Sequence, residues 1–135
     1  MAKADQPRRA VVAVVDDDQR ILESLNILLE SADYEVRLFS SATALLNSDD
    51  LPDIACLISD VAMPEMDGLG LVRALRAARS GLPVILLTGR PDLLEGAPSD
   101  WRGQYRLFTK PFDAQDLLTA VDDGVRRWDA RTRDS

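Results

Sequence analysis

A chain of 135 residues has room for one ordinary domain. Its 23 acidic residues outnumber 16 basic ones, for a formal charge of −7, and no histidine is present. The acidic balance speaks against direct nucleic-acid binding, and the missing imidazole excludes Ser–His–Asp and Cys–His catalysis, His-ligated zinc or copper, and a histidine phosphocarrier role.

Residues 1–8 are polar and read as a flexible N-terminus; they lack the apolar stretch of a secretory signal, which points to the cytoplasm. Residues 10–15 are apolar and β-branched, a first strand. Ile21, Leu22, Leu25, Leu28 and Leu29 form a stripe over residues 19–32, a helix with Asp18 at its N-cap. Residues 35–39 are a mixed strand suited to an edge, and residues 41–47 a short helix opened by Ser40 or Ser41. Residues 54–59 form an apolar strand holding the single cysteine, Cys56, which reads as a small buried core residue with no disulfide partner. Leu71, Val72, Leu75 and Ala78 share one face of a helix running to Ser80 and stopped by Gly81 and Pro83.

Residues 84–87 are the next apolar strand, and about residues 105–109 a mixed one. Between them stand Pro91, Gly96, Pro98 and Gly103. Proline costs about 3 kcal/mol in a helix interior and glycine about 1, so only a short or distorted fourth helix near residues 92–95 is expected. Asp113 caps a last helix carrying Leu117, Leu118, Val121 and Val125, continuing to about Trp128. Five strand–helix alternations imply a parallel five-stranded sheet with helices on both faces: one α/β domain over residues 9–128, followed by a tail or linker start at 129–135. No apolar run approaches the roughly 18 residues of a membrane helix.

In such a sheet the site lies beyond the carboxyl ends of the strands. Strand one ends in Asp16-Asp17-Asp18, strand three in Asp60, strand four in Thr88 and strand five in Lys110. With Asp18 set aside as a cap, three carboxylates, a hydroxyl and an ammonium share one rim. Close carboxylates repel or bind a cation, and an oxygen-only donor set suits Mg²⁺. Lys110 is one of only two lysines in a chain with 14 arginines, a compact charge for a phosphate. Together the groups describe phosphoryl transfer to an aspartate, with Asp60 the natural acceptor.

Val14-Val15-Asp16-Asp17-Asp18, Asp60-Val61-Ala62-Met63-Pro64-Glu65-Met66-Asp67-Gly68, Leu86-Leu87-Thr88-Gly89 and Thr109-Lys110-Pro111-Phe112 together resemble the receiver domain of two-component response regulators, CheY-like and most similar to its FixJ/NarL side. The resemblance covers about residues 8–128. It implies a flavodoxin-like (βα)5 doubly wound sandwich with strand order 2-1-3-4-5. It also implies that Asp60 is the phosphoacceptor and that Mg²⁺ or Mn²⁺ is held by Asp17, Asp60 and the Ala62 carbonyl, with Asp16 acting mainly through metal-bound water. Thr88 would be the switch hydroxyl and Lys110 the active-site lysine, with a Lys110–Pro111 bond that is commonly cis. The implied partner is a sensor histidine kinase or histidine phosphotransfer protein, with a homodimer as a further possibility. The chain would not be a conventional enzyme but would catalyse its own phosphorylation and dephosphorylation.

Two positions depart from the family pattern. Leu107 stands where an aromatic usually swings inward, with Phe108 on the opposite face of the strand. The fourth helix is broken by the prolines and glycines named above. The alternative function is a receiver-like protein-binding module that signals without phosphorylation. A haloacid-dehalogenase-type phosphatase fits Asp16-Asp17-Asp18 formally, but Arg20 replaces the hydroxyl or aliphatic residue expected just downstream.

Overall fold

The computed structural model describes residues 9–62, 68–78, 81–89 and 105–134. In chain order these form β1 (Val11–Val15), α1 (Gln19–Ser31), β2 (Glu35–Phe39), α2 (Ala42–Leu46), a 3-10 turn (Leu51–Asp53), β3 (Ile54–Asp60), α3 (Gly68–Ala78), β4 (Val84–Thr88), β5 (Arg106–Thr109) and α4 (Ala114–Asp134). The strands make one parallel sheet in the order β2-β1-β3-β4-β5, the flavodoxin-like order. The three nearly all-apolar strands are the interior ones, and the mixed β2 and β5 are the edges.

Side-chain alternation divides the core in two. Val12, Val14, Ile58 and Leu87 pack with Leu22, Leu25 and Leu29 of α1 and Leu117 and Val121 of α4. Ala13, Val15, Leu57 and Leu86 pack with Leu45 of α2 and Leu71, Val72 and Leu75 of α3. Cys56 lies in the first layer, and burial pushes its thiol up to about 12, so it is an inert core group. At Gly124 an added Cβ would come within 3.0 Å of the Pro83 Cβ, so the missing side chain lets α4 settle against the sheet.

Three helix starts follow the expected capping chemistry. The Asp18 carboxylate accepts the Arg20 N–H at 2.9 Å, and Asp113 Oδ1 accepts the Asp116 N–H at 3.0 Å. Of the two serines, it is Ser41 whose Oγ accepts from Ala44, at 3.1 Å.

The elements differ from the sequence expectation mainly at their ends. β3 and β4 each reach one residue further, so Asp60 and Thr88 are strand residues held by the ladder. The turn at Leu51–Asp53, with Pro52 in its first positions, was not anticipated. α4 continues through Asp134 because no proline or glycine follows Gly124 and the arginines there are good helix formers. The distorted helix expected near residues 92–95 lies outside the described residues, as do residues 1–8, 79–80 and 63–67. Among the described residues no helix is long and apolar enough to cross a membrane.

Candidate functional site

Four strands, β1, β3, β4 and β5, deliver the polar residues that end or follow them to one rim of the sheet. β1 passes directly into Asp16, whose N–H still donates to the Phe39 carbonyl at 3.1 Å, one step beyond the strand. Asp60, the last residue of β3, is in register with Leu87 of β4, and the Val61 N–H donates to the Leu87 carbonyl at 3.0 Å. Thr88 ends β4 and faces Thr109 of β5; its carbonyl accepts the Lys110 N–H at 2.7 Å. The Lys110–Pro111 peptide is cis.

The sheet therefore gathers the residues singled out in the sequence. One carboxylate oxygen from each of Asp16, Asp17 and Asp60 lies within 4.8 Å of the others. Lys110 Nζ stands 3.7 Å from Asp60 Oδ1. Asp16 is 2% exposed and Thr88 1%, whereas Asp17 and Ala62 face solvent. The Ala62 N–H donates a long bond, 3.4 Å, to Asp60 Oδ1.

Burial raises the pKa of Asp16 above its ordinary value, and the charges of Asp60 and Asp17 add to the rise. The Asp18 N–H and the Lys110 ammonium oppose it but do not cancel it. Asp16 Oδ1 accepts the Asp18 N–H at 2.8 Å, and Oδ2 is buried with no hydrogen-bond partner. A buried carboxylate oxygen without a donor is costly unless a cation compensates it. That orphan oxygen, with two further carboxylates beside it, fits a hard divalent ion such as Mg²⁺ or Mn²⁺.

Leu107 is in register with Leu86 and lies on the Thr88 side of the sheet, 41% exposed. Phe108 packs into the opposite layer, with α1 and α4. No aromatic ring of β5 therefore neighbours Thr88. The stretch from Met63 to Asp67, part of the motif after Asp60, and Arg90 lie outside the described residues. Asp18 does more than cap α1, because its N–H also donates to Asp16 Oδ1. Side-chain identity carries no signal for a backbone donor.

Comparison with known proteins bears on the family and the fold. A family model described as "Response regulator receiver domain" matches residues 12–122. "Response regulator protein TmoT" of Ectopseudomonas mendocina is 40% identical over 114 residues, 84% of this chain and 52% of that protein. "Transcriptional regulatory protein FixJ" of Bradyrhizobium diazoefficiens is 35% identical over 118 residues, 86% of this chain and 57% of that one. The crystal structure of a response regulator receiver domain protein from Clostridium thermocellum superposes with a TM-score of 0.78 at 31% identity, covering 87% of this chain and 95% of that one. The chain thus spans about half the length of the curated relatives it matches.

Proposed function

Because this chain belongs to the response regulator receiver domain family, we propose that it is the phosphoacceptor of a two-component phosphorelay, taking a phosphoryl group on Asp60. The observation that carries the reading is the cluster of Asp16, Asp17 and Asp60 with Lys110 Nζ at 3.7 Å and a buried Asp16 oxygen left without a donor. Asp17, Asp60 and the Ala62 carbonyl would hold Mg²⁺ or Mn²⁺, with Asp16 contributing mainly through water. When bound, the ion offsets the negative charge that gathers as phosphate oxygens approach carboxylates.

The chemistry at Asp60 balances without any redox partner. A carboxylate oxygen of Asp60 forms a bond to phosphorus while the P–N bond of a phosphohistidine breaks, its electron pair returning to the imidazole. This chain has no histidine, so the donor ring belongs to a sensor histidine kinase or a histidine phosphotransfer protein. Lys110 places its ammonium beside the phosphoryl oxygens, and the Thr88 hydroxyl donates to one of them. Water later attacks phosphorus and returns Asp60 and inorganic phosphate. The domain works as a switch rather than a conventional enzyme. The cytoplasm and a phosphorylation-dependent interaction surface, including self-association, follow from the same reading.

Incubation with a small phosphodonor and Mg²⁺ tests it. The intact protein gains the mass of one phosphoryl group, and Asp60→Asn gains none. No gain refutes the proposal and favours a module that signals by contact alone, and the same gain in Asp60→Asn refutes Asp60 as the acceptor.

A further inference from the structure

Asp18 makes two hydrogen bonds that point in different directions. Its carboxylate accepts the Arg20 N–H at 2.9 Å and so caps α1. Its own N–H donates to Asp16 Oδ1 at 2.8 Å. The cap holds Asp18 in extended backbone, φ −93° and ψ 112°, and that backbone carries the N–H. With Oδ1 engaged, the Asp16 carboxylate is fixed about its last torsion, and it is Oδ2 that stays buried without a partner. A hydrogen-bond donor behind a carboxylate orients it for a cation, as outer partners do at metal sites generally.

We propose that Asp18 is a positioning residue for the acidic site: by capping α1 it holds the N–H that orients the Asp16 carboxylate, so the start of α1 and the cation site form one unit. The inference rests on the cation-binding reading of Asp16, Asp17 and Asp60. Asp18 touches no reacting atom in it and acts through Asp16 alone.

Three variants of the full chain separate this from a loss of stability or of charge. Asp18→Ala and Asp18→Asn remove the same charge, but asparagine still caps. Ser41→Ala removes a cap of the same kind at α2, where the serine holds the Ala44 N–H while the Asp16 carboxylate takes its bond from Asp18. In calorimetric titration with Mg²⁺ alone, Asp18→Ala binds about fivefold more weakly than Asp18→Asn, less than the 10–100-fold loss when an outer partner is removed outright, because the N–H remains. Ser41→Ala binds as the unaltered protein does. In metal-free protein, amide hydrogen exchange at residue 18 is faster in Asp18→Ala and unchanged in Asp18→Asn.

Equal Mg²⁺ affinity for the two Asp18 variants overturns the proposal, as does a comparable loss in Ser41→Ala. Failure of the unaltered protein to bind Mg²⁺ overturns the cation reading instead. The exchange measurement then decides alone whether the cap holds the N–H, and equal exchange in all variants refutes it.

Discussion

The two ends of the sheet carry similar residue types and treat them oppositely. At the amino ends of β1 and β2, a cleft of about 300 Å³ is lined by Arg9, Val11, Glu35, Arg37, Asp50 and Asp53. There Arg37 pairs with Glu35 and lies 3.5 Å from Asp50, and these side chains are 39% to 46% exposed. At the carboxyl ends, Asp16, Asp17 and Asp60 converge while one described ammonium, Lys110, faces them. Asp16 is almost fully withdrawn from water and keeps an oxygen unpaired. Charges that remain in water and find partners contribute little and ask for no ligand. Carboxylates withdrawn from water without enough cations are a standing electrostatic cost, and such a cost marks a working site. On the proposed reading it is the acidic end, not the mixed one, that receives a ligand.

The contrast is broken most severely at Lys110. Lys110→Ala removes the ammonium beside Asp60, and phosphoryl incorporation from a small donor slows by roughly 100-fold, read as a mass-spectrometric time course. An unchanged rate would mean the ammonium serves only to stabilise the resting carboxylates.

Metal is the next lever. At a hundredfold excess over its dissociation constant, Mg²⁺ raises the unfolding free energy by about 2.7 kcal/mol. For a chain of this size that lifts the melting temperature by roughly 8 °C, followed by circular dichroism and reversed with a chelator. Arg37→Ala, at the opposite end, keeps the full Mg²⁺ effect, whereas Asp17→Asn loses most of it.

A smaller effect is visible without metal. Asp16 holds its proton more tightly in the folded chain than at its ordinary pKa of 3.8, so folding takes up a proton just above that pH. Stability contributed by protonated Asp16 is present at low pH and falls as pH rises through the raised value. Denaturant titrations of metal-free Asp16→Asn lack this decline and give the more stable protein at neutral pH. The same decline in both proteins would place the burden on another group.

The smallest effect belongs to the paired end. Arg37→Ala lowers stability by less than about 1 kcal/mol, and added salt shrinks the difference. A larger loss, insensitive to salt, would show that the contrast between the two ends is overdrawn.

Much of this was legible in the chain. Apolar runs set the strands, and their relative purity separated interior from edge: residues 10–15, 54–59 and 84–87 became the interior strands, and the mixed ones became β2 and β5. Asp18, Ser41 and Asp113 announced their helices because capping is a local bond between near neighbours. The candidate residues at the rim were legible because each ends or follows an apolar run, and parallel strands end together. Less legible was the far end of α4, where the apolar stripe stops before the helix does. The tie from Tyr34 to Asp122 also escaped notice, since its partners lie 88 residues apart.

Sequence by itself determined which groups reach the rim: the apolar runs locate the carboxyl ends of the strands to within a residue, and the polar group found there is then a matter of reading. Only the tertiary structure decided how those groups stand toward one another. It placed Lys110 at 3.7 Å from Asp60, buried Asp16, and put the Asp18 N–H behind one of its oxygens while the other stayed bare. Burial and pairing depend on distances between strands that are far apart in the chain, and local sequence carries no record of those distances.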